Sequence, residues 1–145
     1  MTFAFSLQKV LELKEYDKKI ADEACTQATR EFEEVATSLY HLMKKKETLQ
    51  EEYHQALETG TSISRLRLYE TNLQSMDKLI YLGQKDTHKA RLKMQTSEQR
   101  LTSRALDVKK YEKVKEKRKH DYDEKRKADD QKAMDEIAVQ QFSWK

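Results

Sequence analysis

The stretch ALETGTSISRLRLYE, residues 56–70, decides how this chain folds. Thr59, Gly60, Thr61, Ser62 and Ser64 crowd together between two long, charged, proline-free segments. Thr59-Gly60 reads as a helix stop, because glycine takes the left-handed conformation at C′ without a steric penalty. Ser62 or Ser64 reads as a new N-cap, its hydroxyl accepting an otherwise orphaned backbone N–H. So short a connection between two helices favours antiparallel neighbours.

The composition agrees. The chain has 145 residues, a charged fraction of 38%, Gly 2 and Pro 0. Turns need glycine and proline, so a chain this poor in both makes few turns. Its richness in Ala, Glu, Lys, Leu and Arg points to long helices or a coiled coil. The net charge of +3 is small against 29 basic and 26 acidic residues, which describes surfaces of mixed sign. A dedicated nucleic-acid binder would carry a one-sided field. Cys25 is the single cysteine, so no internal disulfide forms and a reducing compartment is expected. MTFAFSLQKVLELKE, residues 1–15, reads as no secretory signal, and no stretch is apolar enough to span a bilayer. The expectation is a soluble cytoplasmic protein.

Hydrophobic spacing extends the reading outward from the turn. A 4-3 pattern visits Leu7, Leu11, Lys14, Lys18, Ala21, Cys25, Ala28, Phe32, Val35, Leu39, Leu42, Lys46, Leu49, Tyr53 and Ala56. Only the three lysines interrupt it, which is the signature of a coiled-coil seam. Beyond Ser62 it restarts at Leu66, Tyr69, Leu73, Met76, Ile80, Gly83, Thr87, Ala90, Met94, Ser97, Leu101, Arg104, Val108 and Tyr111, then fades into KVKEKRKHDYDEKRKADDQ. The predicted class is all-α: two long helices forming one antiparallel coiled-coil hairpin with a longer second helix. The bounds are helix 1 over about 3–58, a turn at about 59–63 and helix 2 over about 64–142. At ~1.5 Å per residue the first arm would measure ~80 Å and the second ~120 Å. Folding at Gly60 places Leu7 opposite about residue 113, which leaves the last ~30 residues without a partner.

Enzyme chemistry finds no support. Glycine-rich phosphate loops, HExxH, CxxC and GxSxG are all missing, and His41, His54, His88 and His120 are scattered. No cofactor, metal or small-molecule substrate is expected. The basic run KKYEKVKEKRK, residues 109–119, is followed at once by Asp121, Asp123 and Glu124. It reads as a solvated helix surface or a site for an acidic protein rather than for nucleic acid. LRLYETNLQSMDKLIYL, residues 66–82, is richer than a seam needs: Leu68, Leu79 and Leu82 fall one position off it and Tyr81 flanks it. Such an over-wide stripe serves tip packing or docking, and the pattern does not choose between them. Phe3, Phe5, Leu7, Val10, Leu11, Leu13 and Ile20 cover more than one face of the first helix. Met134, Ile137, Ala138 and Phe142 recur at helical spacing beyond a nearly apolar-free stretch.

These segments, taken in order, resemble the FliJ family of the flagellar type III export apparatus. The carriers are FAFSLQKVLELKE (3–15), FEEVATSLYHLMKKKETLQ (32–50), TGTSISRLRLYETNLQSMDKLIY (59–81), KKYEKVKEKRKHDYDEKR (109–126) and KAMDEIAVQQF (132–142). The resemblance implies a non-catalytic two-helix stalk similar to the central subunit of rotary ATPases. It implies binding to the hexameric export ATPase FliI through the termini, here Phe3, Phe5, Leu7, Val10, Leu11, Met134, Ile137 and Phe142. It implies binding to the export gate protein FlhA near the hairpin end, here through Tyr69, Leu73, Met76 and Leu79. The ATPase regulator FliH and export chaperones are further implied partners, and the implied place is the cytoplasmic face of the membrane at the flagellar base. Asn72 stands where the family commonly has an aromatic, and Gly83 where it has a polar residue or histidine. Two other readings remain: a nucleic-acid-binding coiled coil and a self-associating structural one.

Overall fold

The computed structural model of the chain describes residues 2–143. Among them are two α-helices and no strand: α1, Gln8–Thr59, with 52 residues, and α2, Ile63–Ser143, with 81. The helical hairpin with its longer second arm is therefore observed.

The turn works by the chemistry its residues offer. Gly60 has φ 84°, and its N–H donates to the Ala56 carbonyl at 3.0 Å, closing the C-terminus of α1. No atom would meet a Cβ at this glycine, so its need is conformational, not steric. Ser62 is the cap of α2: its Oγ accepts the Arg65 N–H at 3.3 Å and its carbonyl accepts the Leu66 N–H at 3.2 Å.

Two compact units are distinguished, Ala21–Leu101 and Met1–Ile20 with Thr102–Lys145, and each helix contributes to both. In the unit Ala21–Leu101, none of the 4-3 positions on either helix is exposed. The helices run antiparallel: as the α1 partner advances from Glu31 through Lys46 to Tyr53, the α2 partner recedes from Lys93 through Asp77 to Glu70. Arg91 caps the Phe32 ring at 5.6 Å from its centroid. Ala21, Ala28, Ile80 and Thr87 are the buried members, and no large side chain among the described residues is fully enclosed. The seam is a line of half-buried contacts; burying a side chain such as Ile80 in full contributes ~1.5–3 kcal/mol.

Gly83 permits a close approach in the middle of this unit. A Cβ there would lie 3.1 Å from Leu39 Cδ1, so the Leu39 methyl occupies the space a side chain would need. Thr87, one turn on, donates its hydroxyl to the Gly83 carbonyl at 2.7 Å and so buries no unpaired group.

In the second unit, α1 begins at Gln8 rather than near residue 3. Residues 2–5 lie in no helix, and Ser6 and Leu7 form a turn. The Gln8 N–H donates to the Phe5 carbonyl at 3.1 Å, closing a turn ahead of α1 from which Phe3, Phe5 and Leu7 all join the packing with Val108 and Tyr111. Phe5, Leu11 and Val108 form a buried cluster, against which Phe3, Leu7 and Tyr111 pack.

Pairing in this unit passes well beyond Tyr111, contrary to the expectation that it stops where the apolar pattern fades. Lys115 donates to Gln8 Oε1 at 2.7 Å, and Arg118 donates to Ser6 Oγ at 2.9 Å. The Arg118 guanidinium also sits over the Phe5 ring at 5.6 Å, and the Phe3 and Tyr122 rings meet at 5.5 Å. Long cationic side chains cover apolar surface with their stems and spend their charge on rings and hydroxyls, so they extend a seam that a hydrophobicity pattern misses. Only after Tyr122 is every residue through Ser143 exposed.

Candidate docking surfaces

The terminal unit sorts the predicted ATPase-binding residues into two groups. Phe5 and Leu11 are buried, and Phe3, Leu7 and Val10 are half-buried. All of these but Val10 pack in one cluster with Val108 and Tyr111 of α2. Met134, Ile137 and Phe142 are exposed, Phe142 at 83%. Among the described residues the two groups are not brought together: the contacts of the leading segment reach no farther than Tyr122. Val139 is also exposed and was not among the predicted residues. Its position three before Phe142, a same-side helical spacing, was the signal for including it.

Near the turn, Tyr69, Leu73 and Met76 sit on the seam and are half-buried, while Leu79 lies beside it and is exposed. Leu68, Tyr81 and Leu82 are exposed as well, so the over-wide stripe leaves bare apolar surface. Tyr69 packs its ring on Tyr53, with centroids 5.8 Å apart and planes at 59°. The Tyr53 hydroxyl donates to Glu70 Oε1 at 3.1 Å. That hydrogen bond, then burial and the carboxylate charge, push the Tyr53 phenol above its ordinary range. Tyr53 was read only as a seam residue; its place opposite Tyr69 depends on the hairpin register. A shallow groove beside Met76 is lined by His41, Lys44, Lys45, Thr48, Leu49 and Glu52 of α1, a largely basic border.

Farther along this unit Lys93 donates to Glu31 Oε2 at 2.8 Å. This bond, a further one from Gln27 and the lysine charge hold the Glu31 carboxyl below its usual range. Among the described residues no group of His, Cys, Asp or Glu is arranged to hold a metal ion. No helix among them is long and apolar enough to cross a membrane.

By fold the chain belongs to the class of all-α two-helix hairpins, with apolar residues exposed at 134–142 and beside the seam at 68–82. A solved structure of a YscO homologue from Chlamydia trachomatis has the same fold, with a TM-score of 0.73 at 16% identity, over 94% of this chain and 93% of that one. The flagellar FliJ protein family matches residues 3–145. The flagellar FliJ protein of Bacillus subtilis (strain 168) is 37% identical over 142 residues, which are 98% of this chain and 97% of that protein. The chain belongs to the FliJ family and is a component of the flagellar export apparatus.

Proposed function

We propose that the chain is a non-catalytic coupling component of flagellar protein export that binds the hexameric export ATPase FliI and promotes assembly of its ring. The supporting observation is the helical extension 123–143, exposed along its whole length and carrying Met134, Ile137, Val139 and Phe142 bare. Exposed apolar residues at helical spacing fit a groove or pore in a partner. Phe3, Phe5, Leu7, Val10 and Leu11 act at this site by holding the base of the extension, since most of their surface is already covered. The second contact is with the gate protein FlhA, through Leu79 and the accessible edges of Tyr69, Leu73 and Met76. FliH and export chaperones extend the partner set, at the cytoplasmic face of the membrane.

Deleting residues 134–145 is expected to abolish stimulation of the ATPase while leaving helicity and thermal melting of the remaining hairpin nearly unchanged. Stimulation at the full level by the truncated chain would remove the extension from the mechanism. Leu79→Glu is expected to weaken gate binding at least about tenfold, as burying an unpaired carboxylate costs well over 1.4 kcal/mol. Leu79 is the cleaner probe, because Met76→Glu would also place a charge on the seam. Gate binding indifferent to Leu79→Glu would exclude this stripe.

A further inference from the structure

The outward face of α1 in the terminal unit carries apolar residues that neither proposed contact uses. Leu13, Tyr16 and Ile20 are 57%, 60% and 47% exposed. Their 3-4 spacing puts them on one face of the helix. That face is distinct from the one turned to α2, where Leu7 and Leu11 pack and Lys14 is half-buried. Three large apolar side chains in one row, on so charged a chain, are the pattern of a contact surface. The hairpin's own seam is already complete beside them.

The row is bordered on one side by charges of opposite sign at its two ends. Glu12 and Lys19 are one heptad apart, so they lie on the same flank of the row, and both are exposed. Glu12 accepts a hydrogen bond from the Gln8 amide at 3.3 Å, and a carboxylate has further acceptor sites for a cation. Among the described residues no ion pair engages Lys19.

This order of residues is complementary to itself when reversed. A parallel two-fold copy would turn the flank of Glu12 and Lys19 toward the partner's opposite flank, so these charges would not pair with one another. An antiparallel copy sets Glu12 against Lys19 twice, Leu13 against Ile20 twice, and Tyr16 against Tyr16 on the two-fold axis. In an antiparallel pair related by such an axis, residues on one flank face the same flank of the partner, so the charges meet. We infer that this face is the site at which a second copy of the chain docks, through an antiparallel, two-fold contact of α1 with α1 centred on Tyr16. The contact is isologous and closes at two copies. Its small apolar area makes it weak and reversible, of the size class of transient encounters.

The test uses the full chain with Cys25→Ala. Sedimentation equilibrium is expected to show a mass that rises from monomer toward dimer with concentration. Lys19→Glu turns two attractive pairs into two repulsive ones and is expected to weaken the dimer about fivefold or more. Adding Glu12→Lys to it should restore most of the loss, and circular dichroism checks that each variant stays helical. A cysteine at position 16, introduced as Tyr16→Cys, should form a symmetric disulfide under mild oxidation faster than one introduced as Lys125→Cys on the exposed extension. A monomer mass throughout the millimolar range would overturn the inference. So would a double charge variant no better than the single one, or equal disulfide rates at the two positions.

Discussion

Two neighbouring stretches of α2 look alike as sequence and behave differently in the fold. Residues 102–122 and 123–143 are both helical and rich in charge, and in both the apolar pattern is thin or broken. The first is covered on one side by the leading segment and the start of α1, and the second is covered by nothing among the described residues. The difference does not come from the charges themselves. Lys115 and Arg118 find Gln8, Ser6 and the Phe5 ring, while the like-charged Lys125, Arg126 and Lys127 lie beyond the reach of that segment. A charged side chain joins an interface when a hydroxyl, amide or ring lies opposite it. Whether it does is a matter of register, not of composition.

The largest expected effect that would break this contrast concerns two phenylalanines. Phe5 is 9% exposed and Phe142 83% exposed. Phe5→Ala should lower unfolding free energy by about 3 kcal/mol, the usual cost of truncating a covered aromatic. Phe142→Ala should stay within about 0.5 kcal/mol, as surface substitutions do. Chemical denaturation of both variants measures it, and equal losses would mean that the extension is covered after all.

A smaller effect separates two arginines. Arg118→Ala removes a contact with the Phe5 ring and a hydrogen bond to Ser6, and should cost about 1 kcal/mol. Arg126→Ala, on the bare stretch, should cost nothing measurable. Melting temperatures of the two variants at one salt concentration suffice for the comparison.

The smallest effect extends the contrast to the turn end. Tyr53 donates to Glu70, which raises its folded-state pKa. The stabilisation is full below the phenol's unfolded value and is lost as pH rises through the folded one, because the ionised phenol can no longer donate. Ultraviolet titration should find one tyrosine ionising above the ordinary 10.0, and Glu70→Gln should bring it back toward that value. A titration unmoved by Glu70→Gln would place the Tyr53 hydroxyl elsewhere.

Much of the hairpin was legible residue by residue. Each 4-3 position of α2 from Leu66 to Tyr111 is sheltered, and on α1 only Lys18 of the predicted row is exposed. Period and turn chemistry are local properties, so sequence carries them directly. The docking surfaces were legible only in part. Met134, Ile137 and Phe142 read as bare because nothing near them in sequence could cover them. Phe3 and Phe5 read as the same kind of residue, yet they are largely spent on packing.

The sequence by itself determined the two helices, the bend at Gly60 and the seam rows, because each follows from spacing along the chain, while membership of an export family came from the likeness of whole segments to that family. Tertiary structure alone decided that α1 starts at Gln8, that pairing runs to Tyr122, and that Tyr53 stacks on Tyr69 and Leu39 fills the space beside Gly83. These depend on which residue of one strand of the hairpin lies opposite which residue of the other. That register is set by packing summed over the whole seam, and no short stretch of residues contains it.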